Sequence, residues 1–303
     1  MRWKPKHILV PTDFSSDANR AGYYAATMAE PWGSKVTLFH VIALFEYDPN
    51  DPSHHFPNAE EIYKSMEAAA TRQMGEIHNK HKHVKFKNVM VRGISPAEEI
   101  LRYAGENNVD LIVMGTHGRS GLSHFLLGSV AEKVIRHMPC PVMTIRYRDG
   151  EGDQVPSFKR IVVPIDFSAY SKQAVNYAVE IASKFDATLE FIHVIEEQIH
   201  PAYYVTGESS IFELIPDLRE RSIDAMKEFV EEAIPKGLAH TFHVREGRAY
   251  QAIVKFAEEQ NADLIVIATH GLSGLDYLLL GSTTEKVVRK SKTPVLAIRA
   301  EMK

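Results

Sequence analysis

Between Met114 and Ser129 the chain reads Met-Gly-Thr-His-Gly-Arg-Ser-Gly-Leu-Ser-His-Phe-Leu-Leu-Gly-Ser. Two residues separate Gly115 from Gly118, nine separate Gly118 from Gly128, and Ser129 follows directly. Glycine lets backbone N–H groups approach an anion with no side chain in the way, and the first N–H groups of a helix carry partial positive charge. A loop that leads from the apolar run 110–114 into a helix at Ser129 therefore suits a phosphate, with the Arg119 guanidinium and the Ser129 hydroxyl as further donors. The same layout also serves as a plain strand-to-helix turn that binds nothing, so the loop alone leaves both readings open.

The stretch occurs twice. Thr269-His-Gly-Leu-Ser-Gly-Leu-Asp-Tyr-Leu-Leu-Leu-Gly-Ser282 lies at a constant offset of 153 residues, pairing Gly118 with Gly271, Gly128 with Gly281 and Ser129 with Ser282. The offset also pairs Pro11 with Pro164, Asp13 with Asp166, His40 with His193 and Asp110 with Asp263. The chain is an internal duplication. The copies differ where chemistry is at stake, since Ala268 replaces Gly115 and Leu272 replaces Arg119. One close backbone approach and one charge are lost, while the N–H groups of Gly271, Gly281 and Ser282 remain, so a second anion site is expected to be the weaker one.

Other chemistries leave less trace. There is no G-x-x-x-x-G-K-[ST], no G-x-G-x-x-G after a strand and no Ser-Gly-Gly loop after the first strand. Turnover of a nucleoside triphosphate needs a positioned water and a base, and no such set stands out, which leaves slow hydrolysis or self-phosphorylation as an alternative only. His117 and His270 lie in the loops and could act on a phosphate, but a solvent-facing polar turn residue is the plainer identity for each. Fifteen histidines invite a metal reading, yet neither His54-His55, nor His78, His81 and His83, nor His240 and His243 has a cysteine or carboxylate at ligand spacing. No protein metal site is expected; a Mg2+ or Mn2+ ion carried by nucleotide phosphates is a separate matter.

Alternating elements must position these residues. Residues 7–12 form a short apolar strand that ends at Asp13, where Asp and Ser side chains can cap the helix from Ala18 to Glu30. A strand over 35–42 follows, then a long helix from about Ala59 to Lys80, a strand over 87–92, a helix over 96–107, the strand 110–114, the glycine loop, a helix to about Met138 and a last strand over 141–146. Each half thus reads β-α-β-α-β-α-β-α-β, a doubly wound α/β domain with a five-stranded, mostly parallel sheet flanked by helices. The expected domains are 1–147 and 159–303, joined by a polar, glycine-rich linker over 148–158. The apolar terminal strands 141–146 and 294–299 would make exposed edges, so the halves are expected to pack as a pseudo-twofold pair through them, with a homodimer left open. The stretch 45–57, rich in Pro, Asp and His, reads as a lid over the ligand crevice.

Bulk properties narrow the class. A net charge of -4 gives no basic footprint for nucleic acid, and no apolar run approaches the roughly 20 residues of a membrane span. The single cysteine, Cys140, forms no intrachain disulfide and reads as a small buried side chain. A cytoplasmic location is the default.

With these residues in place the chain resembles a tandem universal stress protein of the nucleotide-binding branch. The resemblance rests on Val10-Pro-Thr-Asp13-Phe-Ser and Val163-Pro-Ile-Asp166-Phe-Ser, His40-Val41 and His193-Val194, Asp110-Leu-Ile-Val-Met-Gly and Asp263-Leu-Ile-Val-Ile-Ala, and both loops. It implies a stress-response protein that binds ATP or a related nucleotide (ADP or AMP) and acts as a regulator on a protein partner not named by the sequence. By that resemblance Asp13 lies near base and ribose, the Val41 backbone meets adenine, and Met114, Gly115, Gly118, Arg119, Gly128, Ser129 and Val130 hold ribose and phosphates, with Pro11, Thr12 and His117 beside them. The second-half counterparts are Pro164, Ile165, Asp166, Val194, Ile267, Ala268, His270, Gly271, Gly281, Ser282 and Thr283. The alternative is an interaction module with structural glycine loops, or one holding a small apolar ligand under Tyr203, Tyr204 and Phe212.

Overall fold

A computed structural model of the chain describes residues 3–44, 59–80, 84–118, 127–147, 154–196, 210–269 and 280–299. The chain divides into two compact units, one spanning Lys4–Pro156 and the other Ser157–Lys303 joined by Met1–Trp3. No helix among the described residues is long and apolar enough to cross a membrane.

The first unit runs β1 (His7–Pro11), α1 (Ser16–Ala29), a 3-10 turn (Glu30–Trp32), β2 (Lys35–Ala43), α2 (Ala59–Lys80), β3 (Phe86–Gly93), α3 (Pro96–Glu106), β4 (Leu111–Gly115), α4 (Ser129–His137) and β5 (Val142–Ile145). Its strands lie in the order β3-β2-β1-β4-β5, each neighbouring pair parallel. The second unit runs β6 (Arg160–Pro164), α5 (Ala169–Phe185), β7 (Thr188–Ile195), α6 (Ile211–Leu214), α7 (Leu218–Val230), β8 (His240–Glu246), α8 (Ala249–Glu259), β9 (Leu264–Ala268), α9 (Ser282–Lys290) and β10 (Val295–Ile298). Its order is β8-β7-β6-β9-β10, again parallel throughout.

The strand-helix alternation read from the sequence is present in both units. A parallel sheet covered on both faces needs strands apolar on both sides. β1 and β9 accordingly bury every residue, and β4 all but Gly115. Two elements escape the periodicity: the 3-10 turn, and α6, a single turn fixed by a capping box between Ser210 and Glu213. Helix α7 stops at Val230, a few residues ahead of Pro235, whose ring excludes a continuing helix.

Local chemistry repeats with the fold. Asp110 Oδ2 accepts from the backbone N–H groups of Lys6 and His7 at 2.8 and 2.9 Å, and Asp263 Oδ2 does the same for Lys159 and Arg160 at 2.6 and 2.9 Å. Each aspartate ties the start of one central strand to the next. Phe14 and Phe167 take left-handed backbone at φ 65 and 62, an uncommon state for bulky residues. That twist turns the chain sharply from the first strand of each unit into its first helix.

Candidate functional site

In the first unit a cavity of about 310 Å3 opens at the carboxyl ends of β1, β2 and β4. The strand order reverses between β1 and β4, the place where open α/β sheets form a ligand crevice. Its volume lies at the lower end of the roughly 300–1,000 Å3 of small-molecule sites. Pro11, Thr12, Asp13, Val41, Met114, Gly115, His117, Gly118, Gly128, Ser129 and Val130 all line it, drawn from three strand ends and the start of α4. Arg119 lies outside the described residues, as do the lid segment 45–57, His270, Gly271, Leu272, Tyr203 and Tyr204.

The glycines are there for space, since Gly115, Gly118 and Gly128 all lack positive φ. A Cβ on Gly115 would lie 2.7 Å from Asp17 Cβ and 2.8 Å from the Asp17 carbonyl carbon, in the first turn of α1. One on Gly118 would lie 2.6 Å from Asp13 Oδ2, so that carboxylate faces the loop. Gly128 is the N-cap of α4, with no side chain capping the helix, and its N–H donates to Thr116 O at 2.8 Å. Among the described residues no side chain caps the first N–H groups of α4, which open beside the cavity.

Two expectations need correction. Asp13 does not cap α1: the N-cap is Ser15, whose Oγ accepts from Ala18 N at 3.3 Å, while Asp13 Oδ1 accepts from Ser15 N at 3.0 Å. Nor does His117 face solvent. Its Nδ1 lies 3.2 Å from Asp17 Oδ2 and 2.9 Å from Thr116 Oγ1, and its Nε2 is buried with no hydrogen-bond partner among the described residues. No local pattern marks this contact, because Asp17 stands a hundred residues away.

The cavity also takes Ala18, Phe39, His40, Pro96, Ile100, Thr116 and Ala131, outside the residues marked in the sequence. His40 was the one with a signal, since it recurs as His193. Nδ1 of His40 meets Thr12 O at 2.7 Å and that of His193 meets Ile165 O at 2.8 Å. A carbonyl only accepts, so each Nδ1 carries the proton. Each ring also packs on its left-handed phenylalanine, with centroids 4.6 and 4.8 Å apart.

In the second unit Pro164 ends β6 with Ile165 and Asp166 just after it, Val194 lies in β7, Ile267 and Ala268 end β9, and Gly281, Ser282 and Thr283 start α9. Gly281 N donates to Thr269 O at 2.7 Å, as Gly128 does to Thr116. Three details differ. Asp166 Oδ1 takes both the N–H and the Oγ–H of Ser168, at 3.0 and 2.6 Å. Thr284, where the first unit has Ala131, donates its hydroxyl to Ala268 O at 2.7 Å. Phe212 of the apolar-ligand alternative lies under the Arg219 guanidinium, 4.1 Å from its ring centroid. Elsewhere, burial pushes the Cys140 thiol up to about 12, which leaves it no nucleophile near neutral pH.

The fold and crevice define a tandem α/β protein with one repeat unit used twice. Both units match the Universal stress protein family, over residues 4–146 and 157–299, and the chain belongs to that family. A universal stress protein of Mycolicibacterium smegmatis is 25% identical, with 96% of each chain covered. Universal stress protein MJ0531 of Methanocaldococcus jannaschii is 37% identical over 52% of this chain and 88% of its own. The structure of a universal stress protein from Archaeoglobus fulgidus has the same fold, with a TM-score of 0.67 at 24% identity over 98% of this chain and 99% of that one.

Proposed function

We propose that the first unit binds ATP or a related adenine nucleotide, with a divalent cation on its phosphates, and that occupancy sets the behaviour of the chain as a stress-response regulator. One observation carries this reading: Asp13, Gly115, Gly118 and the uncapped start of α4 converge on a single cavity at the strand-order reversal. Phe39, Val41, Ile100 and Met114 supply an apolar wall suited to a base, and the Asp13 carboxylate an acceptor for sugar hydroxyls. Backbone N–H groups of the loop and of α4 supply donors for phosphate oxygens. The second unit, with Ala268, Thr284 and the Asp166–Ser168 pair, is the weaker site.

Calorimetric titration of the full chain with ATP and Mg2+ tests this. The wild-type chain should give saturable binding, weakened at least about tenfold in Gly118→Ala, where the new methyl meets the Asp13 carboxylate. No binding by the wild type, or an unchanged titration in the variant, would count against it.

A further inference from the structure

Asp17 does not line the cavity, yet its carboxylate joins three segments around it. Oδ2 accepts from Thr116 Oγ1 and from His117 N, both at 3.0 Å, and faces His117 Nδ1 at 3.2 Å, while Oδ1 accepts from Tyr147 N at 3.0 Å. The side chain is only 12% exposed. Two further bonds fix the same stretch, from Gly128 N to Thr116 O at 2.8 Å and from Ser15 Oγ to His117 O at 3.3 Å. A trans peptide points its C=O and N–H in opposite directions, so a His117 carbonyl held against Ser15 turns the Gly118 N–H away from α1. The second unit carries Tyr170 in place of Asp17, and its Ser168 hydroxyl donates to Asp166.

We propose that Asp17 is a positioning residue that sets the first peptides of the glycine loop for phosphate, so that it selects for phosphorylated ligands without touching them. The proposal rests on the nucleotide reading of this cavity. An asparagine at 17 would bring one amide nitrogen against either the Tyr147 or the His117 N–H, leaving that donor without an acceptor.

The test is calorimetric titration of the full chain with ATP plus Mg2+ and, separately, with adenosine, for wild type and Asp17→Asn, alongside thermal unfolding. Asp17→Asn should lose ATP affinity by about tenfold or more and adenosine affinity by no more than about twofold. A purely structural residue would lower the unfolding temperature and leave the ATP-to-adenosine ratio unchanged, and that result overturns the proposal. Should Asp17→Asn not fold, Thr116→Val removes one of the same bonds, and the same ratio decides. A wild-type chain that binds neither ligand would remove the nucleotide reading and the proposal with it. One that binds both, with the ratio kept in the variants, would remove only the role of Asp17.

Discussion

Residues 153 positions apart make the same bonds through most of the two units. Asp110 and Asp263 each tie two strand starts, His40 and His193 each donate to the backbone after the first strand, and Gly128 and Gly281 each donate to a threonine carbonyl. Around the start of the glycine loop the bonds part: Asp17, Gly115 and Ala131 in the first unit face Tyr170, Ala268 and Thr284 in the second. Bonds that hold the sheet together are kept in both copies, whereas the carboxylate bonds of Asp17 have no counterpart at Tyr170. Not every difference is a loss. His7 contacts Thr37 Oγ1 at 2.8 Å and Asn107 O at 3.1 Å, while Arg160 contacts Glu190 at 3.6 Å and the Gln260 carbonyl. A neutral pair has been exchanged for a charged one at the same place.

The largest effect is expected from Gly115→Ala, which gives the first unit the second unit's residue. Its methyl would press on the backbone of Asp17, costing about 1–3 kcal/mol of stability in denaturant unfolding and most of the ATP affinity in titration. If the variant behaves like wild type, Ala268 does not mark a degenerate site. A smaller effect is expected from Ala131→Thr. A hydroxyl there would reach the Gly115 carbonyl as Thr284 reaches Ala268, narrowing the cavity and weakening ATP by roughly fivefold, on the order of 1 kcal/mol, with folding intact.

The parts of the site carried by glycine spacing and apolar strands were legible in the sequence, because a missing Cβ and a period are local properties. Asp17 was not, since an acidic residue in a helix's first turn already has a reason to be there in the helix dipole. Pro96 and Ile100 reach the cavity from a helix with no motif. The setting of His117 is hidden for a different cause: its partner Asp17 is remote in the chain.

The smallest effect is a pH dependence that His7 gives the first unit. Burial, the first cause, pulls the His7 pKa below its ordinary 6.5, so the folded state holds fewer protons than the unfolded one just below that pH. Stability should therefore fall as pH drops from about 6.5 towards the folded pKa. His7→Gln should lessen that acid-side slope in unfolding midpoints taken across pH. An unaltered slope would place the acid sensitivity elsewhere.

The most direct measurement is mass spectrometry of the small molecules released when freshly purified protein is denatured, with their stoichiometry per chain. One adenine nucleotide per chain is the predicted result, held in the first unit. Two per chain would contradict the asymmetry between the units, and none, together with no response to added ATP and Mg2+, would contradict the nucleotide site itself.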